Sequence, residues 1–170
     1  MIIDYSASFW VRHLQLSRHV EGGSFREVYR SPLKADKDCL PPTFRDTRNF
    51  STSIYFLLEQ GQFSAFHRIA SDELWHFYFG HPLTIYEIEP NGKLIVHKLG
   101  NSPVNNESFQ CVIKAGSWFA SAVEGQGRYS LVGCTVSPGF DFEDFELADC
   151  NKLSQQFPEY ADLIRRLCRD

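Results

Sequence analysis

The chain has no Cys-x-x-Cys pair, and its five cysteines, Cys39, Cys111, Cys134, Cys150 and Cys168, are odd in number and widely spaced. That pattern excludes a disulfide framework and a zinc knuckle. Reduced thiols are expected, with Cys111 and Cys134 as core residues in strands. No apolar run approaches the ~18 residues that cross a bilayer. The segment from Met1 to Ser6 has neither the basic start nor the long apolar core of a signal peptide. A soluble, cytoplasmic protein with no membrane partner is expected. Gly-x-Gly-x-x-Gly, a phosphate-binding loop ending in Gly-Lys-Ser/Thr, and Gly-x-Ser-x-Gly are also absent, which argues against dinucleotide, P-loop and nucleophile-elbow chemistry. Basic residues are dispersed and the net charge is only −4, so no nucleic-acid footprint is present.

What is present is aromatic and β-rich. Aromatics make up 15% of the 170 residues, Phe alone contributing 15 of them, while charged residues reach 22%. This is not the composition of a disordered chain. The length suits one domain over residues 1–170, able to bury roughly two thirds of its unfolded surface. Ser6 can cap a short helix within residues 1–18, with Phe9, Trp10 and Leu14 on one face. Residues 19–148 read as many short strands separated by Gly/Pro turns, and residues 151–168 as a C-terminal helix with Phe157, Tyr160, Leu163, Ile164 and Leu167 at helical spacing. The polar, proline-containing stretch from Ser31 to Asn49 reads as a long loop or arm. The pattern predicts an all-β, two-sheet architecture with helices only at its ends.

The chemistry concentrates between Gly61 and Gly80. Strand periodicity places Phe63, Ala65, His67 and Ile69 on one face of an extended segment. After the Ala-Ser-Asp break, Glu73, Trp75, Phe77 and Phe79 share a face of a second, adjacent strand, and His76 falls on the other. His67 and Glu73 are thus both aimed at an aromatic interior. Such surroundings move pKa values into the range useful for proton transfer.

Gly61, His67, Glu73 and Gly80 fit the first motif of the cupin superfamily, with Ile69 where its second His stands. Gly116 fits the second motif, with Phe119 in place of its His. The runs His-x-Glu-Gly-Gly, Ser-x-Phe-His-Arg, Asp-Glu-Leu-Trp-His-Phe and Leu-Val-Gly-Cys-Thr-Val-x-Pro-Gly-Phe-x-Phe resemble the cupin-like family catalogued as domain of unknown function 985, over about residues 19–147. That resemblance implies a double-stranded β-helix, the jelly-roll barrel, and a homodimer, with no settled activity. Because two ligand positions are apolar, no metal or other cofactor is expected; His67 and Glu73 are the residues that would hold one.

The resulting expectation is a cupin that binds a small polar metabolite in its barrel, such as a sugar or sugar-nucleotide, and performs metal-free epimerase- or isomerase-like chemistry. His67 and Glu73 are its candidate catalytic residues. Candidate ligand-binding residues are His19 and Glu21 beside the Gly22-Gly23 turn, Arg26 as an anion clamp sharing a strand face with Arg30, and Tyr55, Trp75, Trp118 and Phe119 as aromatic walls. The alternatives are a binding or sensing cupin without turnover, and a metal-dependent cupin oxygenase or isomerase.

Overall fold

The computed structural model describes residues 5–169. A short helix α1 (Ala7–His13) is capped by Ser6, whose hydroxyl accepts from the Phe9 amide at 3.1 Å. The strands follow in chain order as β1 (Ser17–Arg18), β2 (Ser24–Arg30), β3 (Lys34–Ala35), β4 (Arg48–Asn49), β5 (Thr52–Glu59), β6 (Phe63–Arg68) and β7 (Asp72–Gly80). After them come β8 (Leu83–Ile88), β9 (Leu94–Leu99), β10 (Gln110–Ile113), β11 (Trp118–Ala122), β12 (Tyr129–Ser137) and β13 (Glu146–Leu147), then helices α2 (Cys150–Gln156) and α3 (Ala161–Arg166).

Two antiparallel sheets form, one in the order β1-β2-β5-β12-β7-β10 and the other β13-β6-β11-β8-β9. Alternation along the strands sends Phe56, Leu58, Trp75 and Val132 of the first sheet against Leu83, Ile85, Leu99 and Phe119 of the second, which makes the inner core. Each sheet also has an outer layer. On the second, Phe66, Ile88, Trp118 and Ala120 lie under Leu153, Phe157, Ile164 and Leu167 of the C-terminal segment. On the first, Leu57, Tyr129 and Leu131 are covered by Trp10, Leu14 and Leu16.

Three expectations need correction. Strands β6 and β7 are not neighbours: β6 pairs with β11 and β13, and β7 with β12 and β10. The intervening Ile69-Ala70-Ser71 is a corner that takes the chain from one sheet to the other, held by the Ser71 hydroxyl donating to the Pro138 carbonyl at 2.7 Å. Their side chains therefore face each other across the barrel. The C-terminal helical segment is broken in two, because Pro158 disfavours helical geometry at Phe157 (φ −129°, ψ 71°) and a 3-10 turn, Pro158–Tyr160, intervenes. The stretch from Ser31 to Asn49 is no free arm: β3 pairs with β4, Phe44 is buried, and Arg48, 3% exposed, forks onto Asp144 at 2.6 and 2.7 Å. That buried ion pair ties the stretch to the segment 140–145.

Simple alternation also fails at three bulges. Between Glu27 and Tyr29 the register with β5 shifts, so Phe25, Glu27 and Arg30 share the inner face and Arg26 faces out. In β7 a shift leaves Phe77 in the core but turns Phe79 outward onto α1. In β6 a shift opposite Ala120 sends Phe63 and Phe66 outward while Ser64 and His67 point in. An extra residue in one strand inverts the side-chain parity beyond it.

The turn before β2 is compressed against β6. Gly22 (φ +119°) and Gly23 (φ +70°) hold backbone angles that L side chains avoid, and a Cβ on Gly22 would lie 2.1 Å from the Phe63 carbonyl oxygen. Gly61 (φ +80°) has open space where its Cβ would be. Gly22→Ala is therefore expected to destabilise the protein by at least about 2 kcal/mol and Gly61→Ala by only about 1 kcal/mol, since only the first adds a clash to the strained φ. Chemical denaturation of the two variants checks this; equal losses would contradict the packing described for the turn.

Candidate functional site

The compression at Gly22-Gly23 sets Glu21 into the barrel. Its carbonyl accepts from the Ala65 amide at 2.8 Å, so the turn is stitched to β6 where β6 bulges. The bulge rotates Ser64 inward, and the Ser64 hydroxyl donates to Glu21 Oε1 at 2.9 Å. His67, on the same inner face, brings Nε2 to 3.1 Å from Glu21 Oε2. Its other nitrogen, Nδ1, lies 2.7 Å from the Ala65 carbonyl. A carbonyl has no proton to give, so Nδ1 carries the hydrogen and Nε2 meets the carboxyl either as a lone pair or as a second N–H. The two groups lie in ion-pair range there without the alignment of a hydrogen bond. Burial raises the Glu21 pKa above the ordinary carboxylate value and lowers that of His67 to about 4, the Ala65 contact opposing the latter, so the His67 ring is neutral.

Glu73 stands across the barrel on β7, in a cavity of about 220 Å³ that His67, Glu21, His19 and Ile69 line from the other side. It is only 8% exposed. Burial first, then the Glu21 charge, raises its pKa to about 8, against the opposing pull of the Cys134 thiol and the Trp75 indole. The indole N–H itself reaches no acceptor within hydrogen-bonding geometry. Among the described residues no cation pairs with the Glu73 carboxyl, so a buried acid looks into the cavity with only the Cys134 thiol and the Trp75 indole beside it. Leaving such a group unpaired costs ~1–3 kcal/mol, which a ligand able to pair with it would recover.

The cavity mouth is built from β2, β5 and the segment 140–142. Arg30 is spent there, donating to Glu27 at 2.7 and 3.0 Å, to Asn49 Oδ1 at 2.9 Å and to the Phe140 carbonyl at 3.2 Å. Phe25, Phe140 and Phe142 complete the rim. The His19 ring packs on Phe25 with centroids 4.5 Å apart and lies nearly parallel to Phe142 at 6.2 Å. Burial lowers the His19 pKa, partly offset by Glu21.

Of the residues singled out in the sequence, His67, Glu73, His19 and Glu21 converge on this cavity. The partner of His67 is Glu21, not Glu73. Arg26 is on the outer face, donating to the Leu14 carbonyl at 3.1 Å, and the bulge in β2 gives its place at the mouth to Arg30. Tyr55 packs outside the first sheet against Tyr78, 5.9 Å between centroids. Trp118 lies beneath the C-terminal helices with the Arg68 guanidinium 4.5 Å over its ring. Trp75 and Phe119 are inner core; Phe119 backs the His67 ring at 4.1 Å without lining the cavity. Sequence reasoning passed over Ser64, Glu27, Cys134 and the Phe140-to-Phe142 rim. Only the His19-to-Gly23 and Pro138-to-Phe142 motifs hinted at the last.

The donors present do not suit a transition metal. Ile69 and Phe119 are apolar at the other two ligand positions, and both His67 nitrogens are directed at protein partners. Among the described residues no group of three or more His, Cys, Asp or Glu side chains is arranged to hold a metal ion.

Two facing sheets closed into a jelly-roll barrel, with an ionisable cavity at one end and the motif histidine inside it, define a cupin. The chain belongs to the Cupin superfamily (DUF985) family, whose pattern it matches over residues 8–148. It is similar to the crystal structure of protein SO0799 from Shewanella oneidensis, 40% identical with a TM-score of 0.87 over 98% of this chain and 99% of that one. A hypothetical protein from Leishmania major is 33% identical, with a TM-score of 0.88 over 98% and 100%. The uncharacterized protein YML079W of Saccharomyces cerevisiae is 32% identical over 139 residues, 76% of this chain and 69% of the yeast protein. Oxalate decarboxylase from Bacillus subtilis, at 15% identity and a TM-score of 0.53 over 88% of this chain and 36% of that one, shares the fold alone.

Glu73 makes stability depend on pH. Its folded pKa, about 8, lies above the ordinary 4.5, so in that interval the native state holds a proton the unfolded chain has lost, and stability falls as pH rises. His67, lowered from 6.5 to about 4, acts in the opposite sense but only below pH 6.5. Between pH 6.5 and 8 the fall from Glu73 is therefore exposed, up to about 2 kcal/mol. Glu73→Gln, a stand-in for the protonated acid, is expected to remove most of it in urea denaturation at the two pH values. Parallel wild-type and variant curves would contradict the assignment.

Proposed function

We propose that the barrel binds a small polar metabolite of monosaccharide scale and exchanges a proton with it, in metal-free epimerase- or isomerase-like chemistry. The observation that carries this reading is Glu73, a buried acid without a cation beside it, facing Glu21 and His67 across the cavity. With a pKa near 8, Glu73 is protonated at neutral pH and able to donate to a substrate oxygen. The opposite wall supplies the base. As the Glu21 carboxylate takes a proton from a carbon beside a carbonyl, it becomes the neutral acid. The electron pair left on carbon moves to the carbonyl oxygen, which Glu73 protonates, and return of a proton to carbon regenerates the site. At about 220 Å³ the cavity falls below the ~300–1,000 Å³ that holds drug-sized ligands, which favours a monosaccharide over a sugar-nucleotide.

The competing reading is a binding or sensing module, favoured by the fact that Glu21 and His67 already lie against each other. A thermal-shift screen of small metabolites, followed by incorporation of solvent deuterium into each hit, separates the two. Wild-type protein is expected to label its ligand and Glu73→Gln to do so ~10²–10⁴-fold more slowly. Stabilisation without any labelling would favour the module, and undiminished labelling by the variant would remove Glu73 from the mechanism.

Other expectations extend the proposal. The free thiols of Cys39, Cys111, Cys134 and Cys150 fit a reducing, cytoplasmic setting. No helix of the described residues is long and apolar enough to cross a membrane. A homodimer, implied by the family resemblance, would have a ready surface in the part of the first sheet that α1 leaves bare, where Tyr78 (47% exposed), Val28 (46%) and Val112 (38%) lie. Light scattering at micromolar concentration is expected to give twice 19.6 kDa; a monomer mass would contradict it.

A further inference from the structure

Resting only on the binding part of that reading, since a Glu73 paired with a cation no longer has a proton to donate, we infer that the ligand carries a positive charge, a primary ammonium group such as that of an amino sugar, and that the site discriminates against phosphates and carboxylates. The argument is an inventory of charge. Among the described residues Arg30 is the only permanently cationic one lining the cavity, and Glu27 pairs with it through two hydrogen bonds while Asn49 and the Phe140 carbonyl take another of its nitrogens. Asp141 lies close enough to Arg30 to stabilise its charge as well, so two carboxylates face one guanidinium at the mouth. An incoming anion would find no uncommitted cation and an excess of negative charge.

Arg30 cannot serve Glu73 either. Cross-strand register places them in one row, Arg30 opposite Thr52, Thr52 opposite Val136 and Val136 opposite Glu73, three strand spacings or about 14 Å apart. The other groups facing Glu73 are Glu21, whose charge opposes ionisation of Glu73, the neutral His67 ring, and the Cys134 and Cys111 thiols, both held protonated by burial. His19 is neutral for the same reason, and the Arg169 charge acts on Glu21 from outside the cavity. The floor therefore offers a buried carboxyl that lacks a cation, and the rim offers Phe25, Phe140 and Phe142. Aromatic faces and carboxylates together are the chemistry that recognises ammonium.

Cation binding next to Glu73 would favour its ionised form and expel its proton. Affinity should thus rise with pH up to about 8. The test is calorimetric titration of the purified protein with glucosamine, glucose and glucose 6-phosphate, repeated with n-butylamine, n-butanol and butyrate, at pH 6.5 and 8. The amine of each series is expected to bind at least about tenfold more tightly than its neutral counterpart, the anion weakest of all. The amine should bind more tightly at the higher pH. Glu73→Gln should lose the pH dependence, and Asp141→Asn, which keeps the oxygen that accepts from the Glu143 amide at 3.0 Å, should weaken the amine about tenfold without affecting the neutral ligand. Preference for the neutral or anionic member would overturn this inference and leave the polar-metabolite reading standing. No binding by either series would overturn the inference, while the deuterium experiment judges the wider reading separately.

Discussion

A carbonyl oxygen can only accept a hydrogen bond, and from that constraint at Ala65 the character of the site follows. The contact at 2.7 Å fixes His67 with a proton on Nδ1 and turns Nε2 toward Glu21, to 3.1 Å from Oε2. Everything around the pair maintains this geometry. The β6 bulge makes Ser64 and His67 share the inner face. The Ser64 hydroxyl fixes the far oxygen of Glu21, and Phe119 limits the imidazole from behind. Gly22 and Gly23 allow the preceding turn to approach close enough for Glu21 to enter at all. A neutral imidazole is also the form that burial tolerates best, because a charge on the ring would lose its hydration there.

This arrangement explains why Glu73 is left alone. With His67 engaged by Glu21, no imidazole is available to Glu73, and the row of residues that joins it to Arg30 is too long for an ion pair. A buried acid with no cation beside it ionises at a cost, and native structures keep such groups where a ligand meets them. The mouth is held just as firmly. Arg48 on Asp144 anchors the segment bearing Phe140, Asp141 and Phe142, so the rim is set by a buried ion pair remote from the cavity.

Much of this was legible in the sequence because it rests on local pattern. Strand alternation and the spacing from Gly61 to Gly80 point to a barrel with His67 and Glu73 inside, and His-x-Glu-Gly-Gly brings His19 and Glu21 into view. What escaped was non-local. Bulges in β2, β6 and β7 invert side-chain parity, so Arg30 rather than Arg26 reaches the mouth and Ser64 rather than Ala65 points inward beside His67. Sequence adjacency made β6 and β7 look like neighbours, although the Ile69-to-Ser71 corner sends them to opposite sheets. Trp118 and Tyr55 are aromatic for the sake of outer layers, against the C-terminal helices and Tyr78, which period-two reasoning cannot distinguish from a cavity wall. The pairing of His67 with Glu21, forty-six residues apart in the chain, depends on that topology and on no spacing rule.

The site depends on a neutral His67 whose proton is on Nδ1, with Nε2 turned to Glu21. Long-range nitrogen–proton correlation spectra of the imidazole, recorded from pH 6.5 to 8 on nitrogen-15 labelled protein, observe both ring nitrogens directly. The account predicts a neutral ring with the proton on Nδ1 and none on Nε2, unchanged across that range and altered at Nε2 in Glu21→Ala. A neutral ring carrying its proton on Nε2, with Nδ1 bare, would contradict it.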